Sequence, residues 1–402
     1  MNDTRGSIWR KWDLQVHTPA SIVNEYKTTG EKWETFLENL ERLPPEFSVV
    51  GVNDYIFIDG YKRILDEKKK GRLKNLARFL PVIELRLAMF SGSKGHLNRV
   101  NYHVIFSDQI DPEVIEQQFL NALWSQYDIT PPFADLKKKW KAIPTEASLK
   151  ELGQMIIDSV PRDKQGDYGS PLGEGFNNLT FNLDQIREVL QRPQFENKHL
   201  TAIGKTEWAD IAWNDHSIAD KKNLINSVDL VFISSASVKD WEKARDHLKA
   251  SGVNRRLLDC SDAHYFLGSD QKDRIGKCFT WIKADPTFEG LLLATKEFDE
   301  RVFVGDEPEK IKNVRENRTK YITSIRLSRV PESDSKELWF DDTVKLNTGL
   351  VAIIGNKGSG KSALTDTIGL LGNSRNERHF SFLHKDRYSG PRSQDHFSSA
   401  IS

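Results

Sequence analysis

Residues 12–18, WDLQVHT, set the pattern that decides the fold: an apolar strand with polar side chains gathered at its end. Similar apolar runs recur along the chain, at residues 49–52, 79–85, 103–106, 200–204, 230–234, 257–260 and 278–282. Helix-like segments alternate with these runs, which is typical of a parallel α/β sheet or barrel. The sequence therefore predicts an α/β fold for most of the chain.

The composition is that of a globular protein with no overall charge. Hydrophobic residues make up 38% of the 402 residues, and Lys plus Arg (58) equals Asp plus Glu (58), so a nucleic-acid partner would need a local basic patch. The two cysteines, Cys260 and Cys278, lie in apolar runs and cannot form a disulfide framework, which indicates a reducing, cytoplasmic location. No apolar run approaches the roughly 18 residues that span a bilayer, so we expect no membrane association.

Other segments interrupt the α/β pattern. Helical patterns at 148–160 and 182–191 flank a Gly/Pro-rich stretch at 161–175, which indicates an insertion with a mobile loop. A strongly charged segment at 306–320 has the composition of a linker or a solvated helix, and a second α/β pattern starts at Tyr321. The predicted organisation is an N-terminal domain over 1–305 with a helical insertion at 108–198, a linker at 306–320 and a second domain over 321–402.

Residues 355–362, GNKGSGKS, fit the phosphate-loop pattern G-x-x-x-x-G-K followed by Ser or Thr at every fixed position. The apolar run 350–354 predicts a strand before the loop, and 363–371 predicts a helix after it. In such loops the backbone N–H groups and the helix N-terminus surround phosphates, the lysine reaches the outer phosphates and the hydroxyl holds Mg²⁺. We therefore expect ATP with Mg²⁺ to be bound by Gly355, Asn356, Lys357, Gly358, Gly360, Lys361 and Ser362.

Polar side chains at or near the ends of the predicted strands form a candidate metal site. Barrel enzymes collect their catalytic groups at such strand ends. Imidazole and carboxylate together suit Zn²⁺, Mn²⁺ or Fe²⁺, and a carboxylate shared by two ions allows phosphoryl transfer. The candidates are Gln15, His17, Asp54, Glu84, His103, Asp262 and His264.

The order and spacing of these residues resemble the PHP (polymerase and histidinol phosphatase) family over about residues 8–305. The family's D-L-H-x-H-T motif appears as DLQVHT at 13–18, its T-D-H motif as NDY at 53–55, its P-G-x-E motif as PVIE at 81–84, and its S-D-A-H motif unchanged at 261–264. The resemblance implies a distorted (β/α)7 barrel that binds up to three metal ions and hydrolyses phosphoesters.

Three departures from the family pattern reduce the expected number of metal ions. Gln15 and Tyr55 replace histidines, and Lys205 stands where another is expected, so three nitrogen ligands are missing. We expect one or two divalent ions (Mn, Zn, Fe or Mg): the first held by His17, Glu84 and Asp262 with the Gln15 amide oxygen, the second by Glu84 and His103. Lys205, His264 and Asp54 are then the catalytic candidates, with Lys205 and His264 stabilising or protonating the leaving oxygen. The alternative is that Lys205 pairs with Glu207 or Glu84 in a degenerate site.

The segment 321–402 resembles the N-terminal lobe of the head domain in the SMC and RecF group of ABC-type ATPases. After Leu371 the sequence contains neither an apolar run ending in Asp-Glu nor an LSGG-like signature. We therefore expect the chain to be part of a longer protein that forms homo-oligomers through its ATPase heads. The alternative is a loop that binds nucleotide without hydrolysing it.

With both resemblances in one chain, the sequence is similar to the bacterial PHP-ATPase proteins of the TrlF-like family. Some members of that family belong to antiphage defence systems. The resemblances imply a metal-dependent phosphoesterase, specifically a nuclease, regulated by a C-terminal ATPase module. Two alternatives stay open: an enzyme that hydrolyses free NTPs or dNTPs, and an inactive scaffold or sensor for the ATPase. Arg86, Trp208 and Trp213 are candidates for stacking on or clamping a nucleotide.

Overall fold

The computed structural model describes residues 5–91, 98–129, 138–204, 218–329, 342–375, 377–383 and 397–401. The chain forms two compact units, Arg10–Asp306 and Met1–Trp9 with Glu307–Ser402. The predictions for Lys205, Glu207, Trp208 and Trp213 fall outside the described residues. None of the helices in the described ranges is long and apolar enough to cross a membrane.

A nine-stranded mixed sheet, curved into a nearly closed barrel, dominates the larger unit. The strands of this unit are β1 (Ile8–Val16), β2 (Phe47–Tyr55), β3 (Arg78–Ser91), β4 (Asn98–Phe106), β5 (Ser125–Ile129), β6 (Lys138–Ala142), β7 (His199–Gly204), β8 (Leu230–Ile233), β9 (Leu257–Asp259), β10 (Thr280–Ala284) and β11 (Val302–Val304). The order in the sheet is β11-β10-β1-β2-β3-β4-β7-β8-β9. The seam between β9 and β1 is bridged because the His17 N–H donates to the Ala263 carbonyl at 3.1 Å and the Ala263 N–H donates to the Gln15 carbonyl at 3.1 Å.

Each apolar run predicted in the N-terminal domain overlaps a strand, and the α/β barrel is confirmed, but its sheet has nine strands and is mixed instead of parallel. Strands β1–β2–β3 and β7–β8–β9 are parallel, whereas β4 is antiparallel to both β3 and β7, and β11 is antiparallel to β10. For β3 and β4 the physical reason is the short connection, because a parallel crossover needs about a dozen residues or more. Residues 92–97, between β3 and β4, are too few for one.

Helices of this unit contribute to the apolar clusters on both faces of the sheet. They are α1 (Lys32–Glu41), α2 (Asp59–Lys69), α3 (Pro112–Val114), α4 (Glu146–Asp158), α5 (Pro171–Asn178), α6 (Leu183–Leu190), α7 (Ile218–Asn226), α8 (Val238–Ala250), α9 (Phe288–Lys296) and α10 (Phe298–Arg301). Alternate strand residues build two buried clusters. One contains Val50 and Val52 with helix residues such as Phe36, and the other contains Val49 with Leu80 and fills the space that the sheet encloses.

A shift of pairing in β1 decides which side chains reach the end of the barrel. Asp13 pairs with Val50 and Val16 pairs with Val52, so three steps along β1 match two along β2. One extra residue reverses the alternation of faces. His17 therefore points toward the inside of the barrel at its end. Leu14, three residues earlier in the chain, also points toward the inside.

The insertion at 108–198 is mixed rather than purely helical. The two predicted helical segments correspond to α4 and α6. Between α3 and α4, however, β5 and β6 form an antiparallel hairpin that the sequence pattern did not predict. The Gly/Pro-rich stretch, taken as a loop, contains a 3-10 helix (Arg162–Asp167) and the start of α5.

The smaller unit contains a three-stranded sheet. Its elements are α11 (Glu309–Glu316), β12 (Ser324–Arg329), β13 (Asp342–Lys345), α12 (Lys361–Leu371) and β14 (Phe397–Ile401), with β12 antiparallel to both β13 and β14. Helix α12 follows the predicted phosphate loop, as expected. The strand predicted at 350–354 was wrong: this run is not in a strand, and Leu350 and Ile354 are 97% and 89% exposed. A strand needs a partner for its backbone groups, and no other described segment pairs with this run.

Candidate metal centre

The carboxyl ends of β1, β2 and β9 and the facing parts of β3 and β4 bring together most of the predicted ligands. His17 follows β1, while Glu84 on β3 and His103 on β4 are direct cross-strand partners. Asp262 and His264 follow β9 along the seam of the barrel. His17, Glu84 and His103 are at most 1% exposed, whereas the Asp262 side chain is 36% exposed. The cluster is therefore reached from the Asp262 side.

His17, Asp262 and His264 form the tightest group. Asp262 Oδ1 lies 3.4 Å from His17 Nε2 and 3.8 Å from His264 Nε2, and the three candidate ligand atoms lie within 4.8 Å of one another. Gln15 Nε2 donates to the same Asp262 oxygen at 2.8 Å. In this arrangement the Gln15 amide serves the carboxylate as a hydrogen-bond donor, not as the oxygen ligand that we expected.

The backbone holds this group in an unusual conformation. Asp262 has φ = +51°, in the left-handed region that costs a non-glycine residue free energy, although Asp is among the residues found there most often. The Tyr26 hydroxyl, buried beneath the loop, lies 2.8 Å from the His17 carbonyl and 3.0 Å from the Ala263 carbonyl. Tyr26 thereby ties the end of β1 to the loop after β9.

Three stacked rings fix the orientation of the imidazoles. The His17 ring lies between Tyr55 and His264, with centroid distances of 4.6 Å and 4.1 Å and interplanar angles of 24° and 16°. His17 Nδ1 lies 3.3 Å from Ser21 Oγ, which leaves Nε2 facing the carboxylates. Tyr55, which stands where the resembled family has a histidine, therefore packs against the ring of a candidate ligand.

Burial keeps the two deepest histidines neutral. It lowers the pKa of His17 to about 4, against the opposing effect of its hydrogen bond with Asp262, and lowers the pKa of His103 to about 3. Burial alone would raise the pKa of Asp262, but the hydrogen bond with His17 and the neighbouring histidines outweigh it, so the pKa of Asp262 is lowered. At neutral pH His17 and His103 are therefore neutral imidazoles and Asp262 is a carboxylate, which are the forms that bind metal ions.

The donor set fits a divalent ion. Two atoms bound to one ion at about 2.1 Å lie roughly 3.0–4.2 Å apart, and the distances from Asp262 Oδ1 to the two Nε2 atoms fall in that range. His264 Nδ1, the ring nitrogen that does not face Asp262, is buried without a hydrogen-bond partner among the described residues, a cost in free energy that an ion at Nε2 would not relieve. By residue type and spacing, His17, Asp262 and His264 could together hold one ion.

Glu84, His103 and Asn53 form a second, deeper group. The Asn53 amide nitrogen donates to Glu84 Oε2 at 2.7 Å, and its oxygen lies 3.2 Å from His103 Nδ1. His17 Nε2 lies 3.5 Å from the same Glu84 oxygen, so the two groups share this carboxylate. Sequence reasoning missed Asn53, although its position at a strand end beside Asp54 was a usable signal.

Asp54, predicted to be catalytic, forms hydrogen bonds with Thr18, the residue after His17. Its carboxylate accepts hydrogen bonds from the backbone N–H and the hydroxyl of Thr18, at 2.7 and 2.8 Å. These contacts fix the residue that follows His17. Helix α2 packs against them so closely that a Cβ on Gly60 would collide with Asp54 and Thr18. The pKa of Asp54 is raised to about 7, chiefly by burial.

The raised pKa predicts that Asp54 makes the metal-free protein less stable as the pH rises. Folded Asp54 keeps its proton up to about pH 7, while the unfolded side chain releases it at about pH 4. Between these values the unfolded state binds fewer protons, so the free energy of unfolding falls with rising pH. In Asp54→Asn this decrease should be smaller by up to a few kcal/mol, measured by urea denaturation in a chelator from pH 4 to 8.

The lowered pKa values of His17 and His103 act in the opposite direction, because they make stability rise with pH from about 4 to 6.5. Since both proteins retain these histidines, their contribution cancels in the comparison. Identical pH profiles for the wild type and Asp54→Asn would show that Asp54 is ionised in the folded protein.

Arg86 is the basic residue of the sequence predictions that lies nearest to this cluster among the described residues. It follows Glu84 by two positions on β3, so both side chains leave the same face of the strand. Its guanidinium lies 4.0 Å from the Phe176 ring centroid and 5.6 Å from that of Tyr55, and Nη1 donates to the Phe176 carbonyl at 3.2 Å. A partly buried cation is thus held beside the stacked rings.

The phosphate loop of the smaller unit is a separate candidate site. Gly358 and Gly360 have φ = +86° and +82°, conformations that favour glycine, and α12 begins at Lys361 directly after them. Lys361 Nζ donates to the carbonyls of Gly355 and Asn356, both at 2.7 Å. The lysine therefore closes the loop on itself, with its ammonium over the backbone.

We compared the chain with protein-family models and with curated proteins, and found no match in either.

Proposed function

We propose that the larger unit is a metal-dependent phosphoesterase of the PHP type that cleaves nucleic acid. The observation that carries this proposal is the convergence of His17, Asp262 and His264 at one end of an α/β barrel, with their candidate ligand atoms within 4.8 Å. Neutral imidazoles and an accessible carboxylate at the end of a barrel are typical of a hydrolytic metal site. The resemblance to the PHP motifs supports the same conclusion.

The residues of the centre have distinct tasks in this proposal. His17 and His264 bind through Nε2 and Asp262 through its carboxylate, while Gln15 orients Asp262 by its 2.8 Å hydrogen bond. Nε2 ligation puts the proton of His17 on Nδ1, where Ser21 Oγ is its partner. A bound divalent ion would supply Lewis-acid activation of the phosphoester and of the attacking water.

Arg86 is the basis for proposing a polyanionic substrate. Its cation lies next to the buried rings of Tyr55 and Phe176, and a guanidinium offers several N–H donors that suit a phosphate. Burial lowers the pKa of Arg86, but an arginine stays charged at physiological pH. We place the substrate among nucleic acids, with free nucleotides as the competing class.

The smaller unit is proposed to bind ATP with Mg²⁺ at 355–362 and to regulate the phosphoesterase as part of a homo-oligomeric ATPase. The positive φ values of Gly358 and Gly360 and the helix that starts at Lys361 support the nucleotide-binding part of this proposal. A role in antiphage defence follows only from the resemblance to the PHP-ATPase proteins.

Elemental analysis combined with a substrate panel tests the enzymatic proposal. The protein, purified without chelator and then dialysed, should contain close to one divalent ion per chain. With Mn²⁺ it should cleave single- or double-stranded DNA or RNA, and EDTA should stop the reaction. A protein without metal that cleaves nothing would support the scaffold alternative, and hydrolysis restricted to NTPs would support the nucleotide alternative.

A further inference from the structure

The position between Glu84 and His103 is where a second metal ion would be expected. His103 Nδ1 lies 3.6 Å from Glu84 Oε2. Two atoms at that separation can bind one ion at about 2.1 Å each. The spacing of these two residues therefore does not itself prevent a second ion from binding.

The side chain of Asn53 satisfies both residues instead. Its Nδ2 donates to Glu84 Oε2 at 2.7 Å, and its Oδ1 accepts from His103 Nδ1 at 3.2 Å. A hydrogen bond to Oδ1 requires that His103 Nδ1 carry the proton, so this nitrogen has no lone pair to offer a metal ion. All three residues are at most 1% exposed, so breaking these bonds without replacement would leave buried polar groups unpaired.

We infer that Asn53 restricts the centre to a single metal ion, because its amide takes the place that a second ion would occupy between Glu84 and His103. This inference rests on the proposed metal-dependent function and specifies it. A one-ion centre has one Lewis acid, so positioned protein groups must stabilise the leaving oxygen, where a two-ion centre would use its second ion.

Substitution of Asn53 makes the inference testable by metal content. Asn53→Asp replaces the N–H donor facing Glu84 with a carboxylate oxygen, and two buried carboxylates at hydrogen-bond distance favour a cation between them. Asn53→Ser removes the amide and leaves space. After dialysis against Mn²⁺ and removal of free ion, the wild type should hold one ion per chain, and both variants should hold two.

The electron paramagnetic resonance spectrum of bound Mn²⁺ gives a second readout that does not depend on activity. Isolated ions give a six-line spectrum in the wild type, and spin exchange between neighbouring ions should broaden it in Asn53→Asp. Asn39→Asp is the matched control. Asn39 is also buried, donates to the Thr35 carbonyl at 2.7 Å and accepts from the Leu267 N–H at 2.9 Å, so it makes a similar pair of bonds away from the centre. It should keep one ion.

The outcomes separate this inference from the proposed function. Two ions in the wild type, or one ion in both folded Asn53 variants, would overturn the inference and leave the phosphoesterase proposal standing. A wild type that binds no ion under any loading condition would contradict the proposed function itself. Circular dichroism confirms that each variant is folded, and the serine variant decides the result if the aspartate variant is not.

Discussion

Replacing both His17 and Asp262 with alanine is expected to lower metal-dependent phosphoester hydrolysis at least about a thousandfold. A metal ion contributes several kcal/mol to stabilising the charge that develops in such a reaction, and each 1.36 kcal/mol corresponds to a factor of ten. Removing both side chains would take away one imidazole and the carboxylate that faces both histidines. Bound metal, measured by elemental analysis, should fall from about one ion per chain to near zero.

The double variant leaves a cavity where the buried His17 ring lay between Tyr55 and His264, so circular dichroism must show that it is folded before activities are compared. The matched control is His199→Ala combined with Asp184→Ala. The His199 ring contacts the Phe195 carbonyl, and the Asp184 side chain is 91% exposed, so neither takes part in the centre. Hydrolysis by the His17/Asp262 variant at the level of this control would contradict the proposed site.

Much of the barrel was predictable from the sequence because its strands are buried on both faces. Runs such as 79–85 and 230–234 are nearly continuous in apolar residues, which is the signature of strands covered on both sides. Polar residues that interrupt the end of such a run have few structural reasons to be there. The grouping of Glu84 with His103 could be expected on this basis, and both belong to the cluster.

The inward direction of the His17 side chain could not be predicted from the alternation of inward- and outward-facing residues along β1. Leu14 belongs to the apolar cluster inside the barrel, and strict alternation would then place Val16 inside and His17 outside. The extra residue between Asp13 and Val16 reverses this order. Such a shift depends on how two strands that are distant in sequence pair with each other. The local sequence of either strand therefore does not predict it.

Asn53 shows a second limit of sequence reasoning. As an isolated residue at a strand end it is unremarkable, because an amide is a weaker metal ligand than imidazole or carboxylate. Its significance comes from three distances, to Glu84, His103 and His17, which require β1, β2, β3 and β4 to be assembled. Residue type alone suggested the candidate ligands, but it did not suggest the groups that form hydrogen bonds with them.

The apolar run 350–354 illustrates the opposite error, a correct local pattern without a structural partner. Its composition favours a buried strand, but backbone N–H and C=O groups are satisfied in a strand only through neighbouring strands. Helix α12, by contrast, forms as predicted because its hydrogen bonds are internal. Local sequence thus predicted the helix after the phosphate loop correctly, whereas its prediction of a strand at 350–354 was wrong.

Replacing Lys361 with alanine is expected to weaken ATP binding by about a hundredfold or more. Hydrogen bonds to charged groups contribute about 1.5–3 kcal/mol each, and 2.7 kcal/mol is a factor of 100. Lys361 Nζ already lies over the loop, 2.7 Å from the carbonyls of Gly355 and Asn356, so a small movement would bring it to a phosphate. Fluorescence titration with a labelled ATP analogue in Mg²⁺ measures the dissociation constant.

Lys357→Ala is the matched control for this experiment. Both lysines lie in the loop, but Lys357 is exposed at a position where the pattern accepts any residue. Loss of its charge should change the affinity less than about fivefold, because the interaction of an exposed charge is worth about 1 kcal/mol or less. Equal losses in the two variants would mean that the loop attracts nucleotide only by its overall positive charge, and the phosphate-loop assignment of Lys361 would then be wrong.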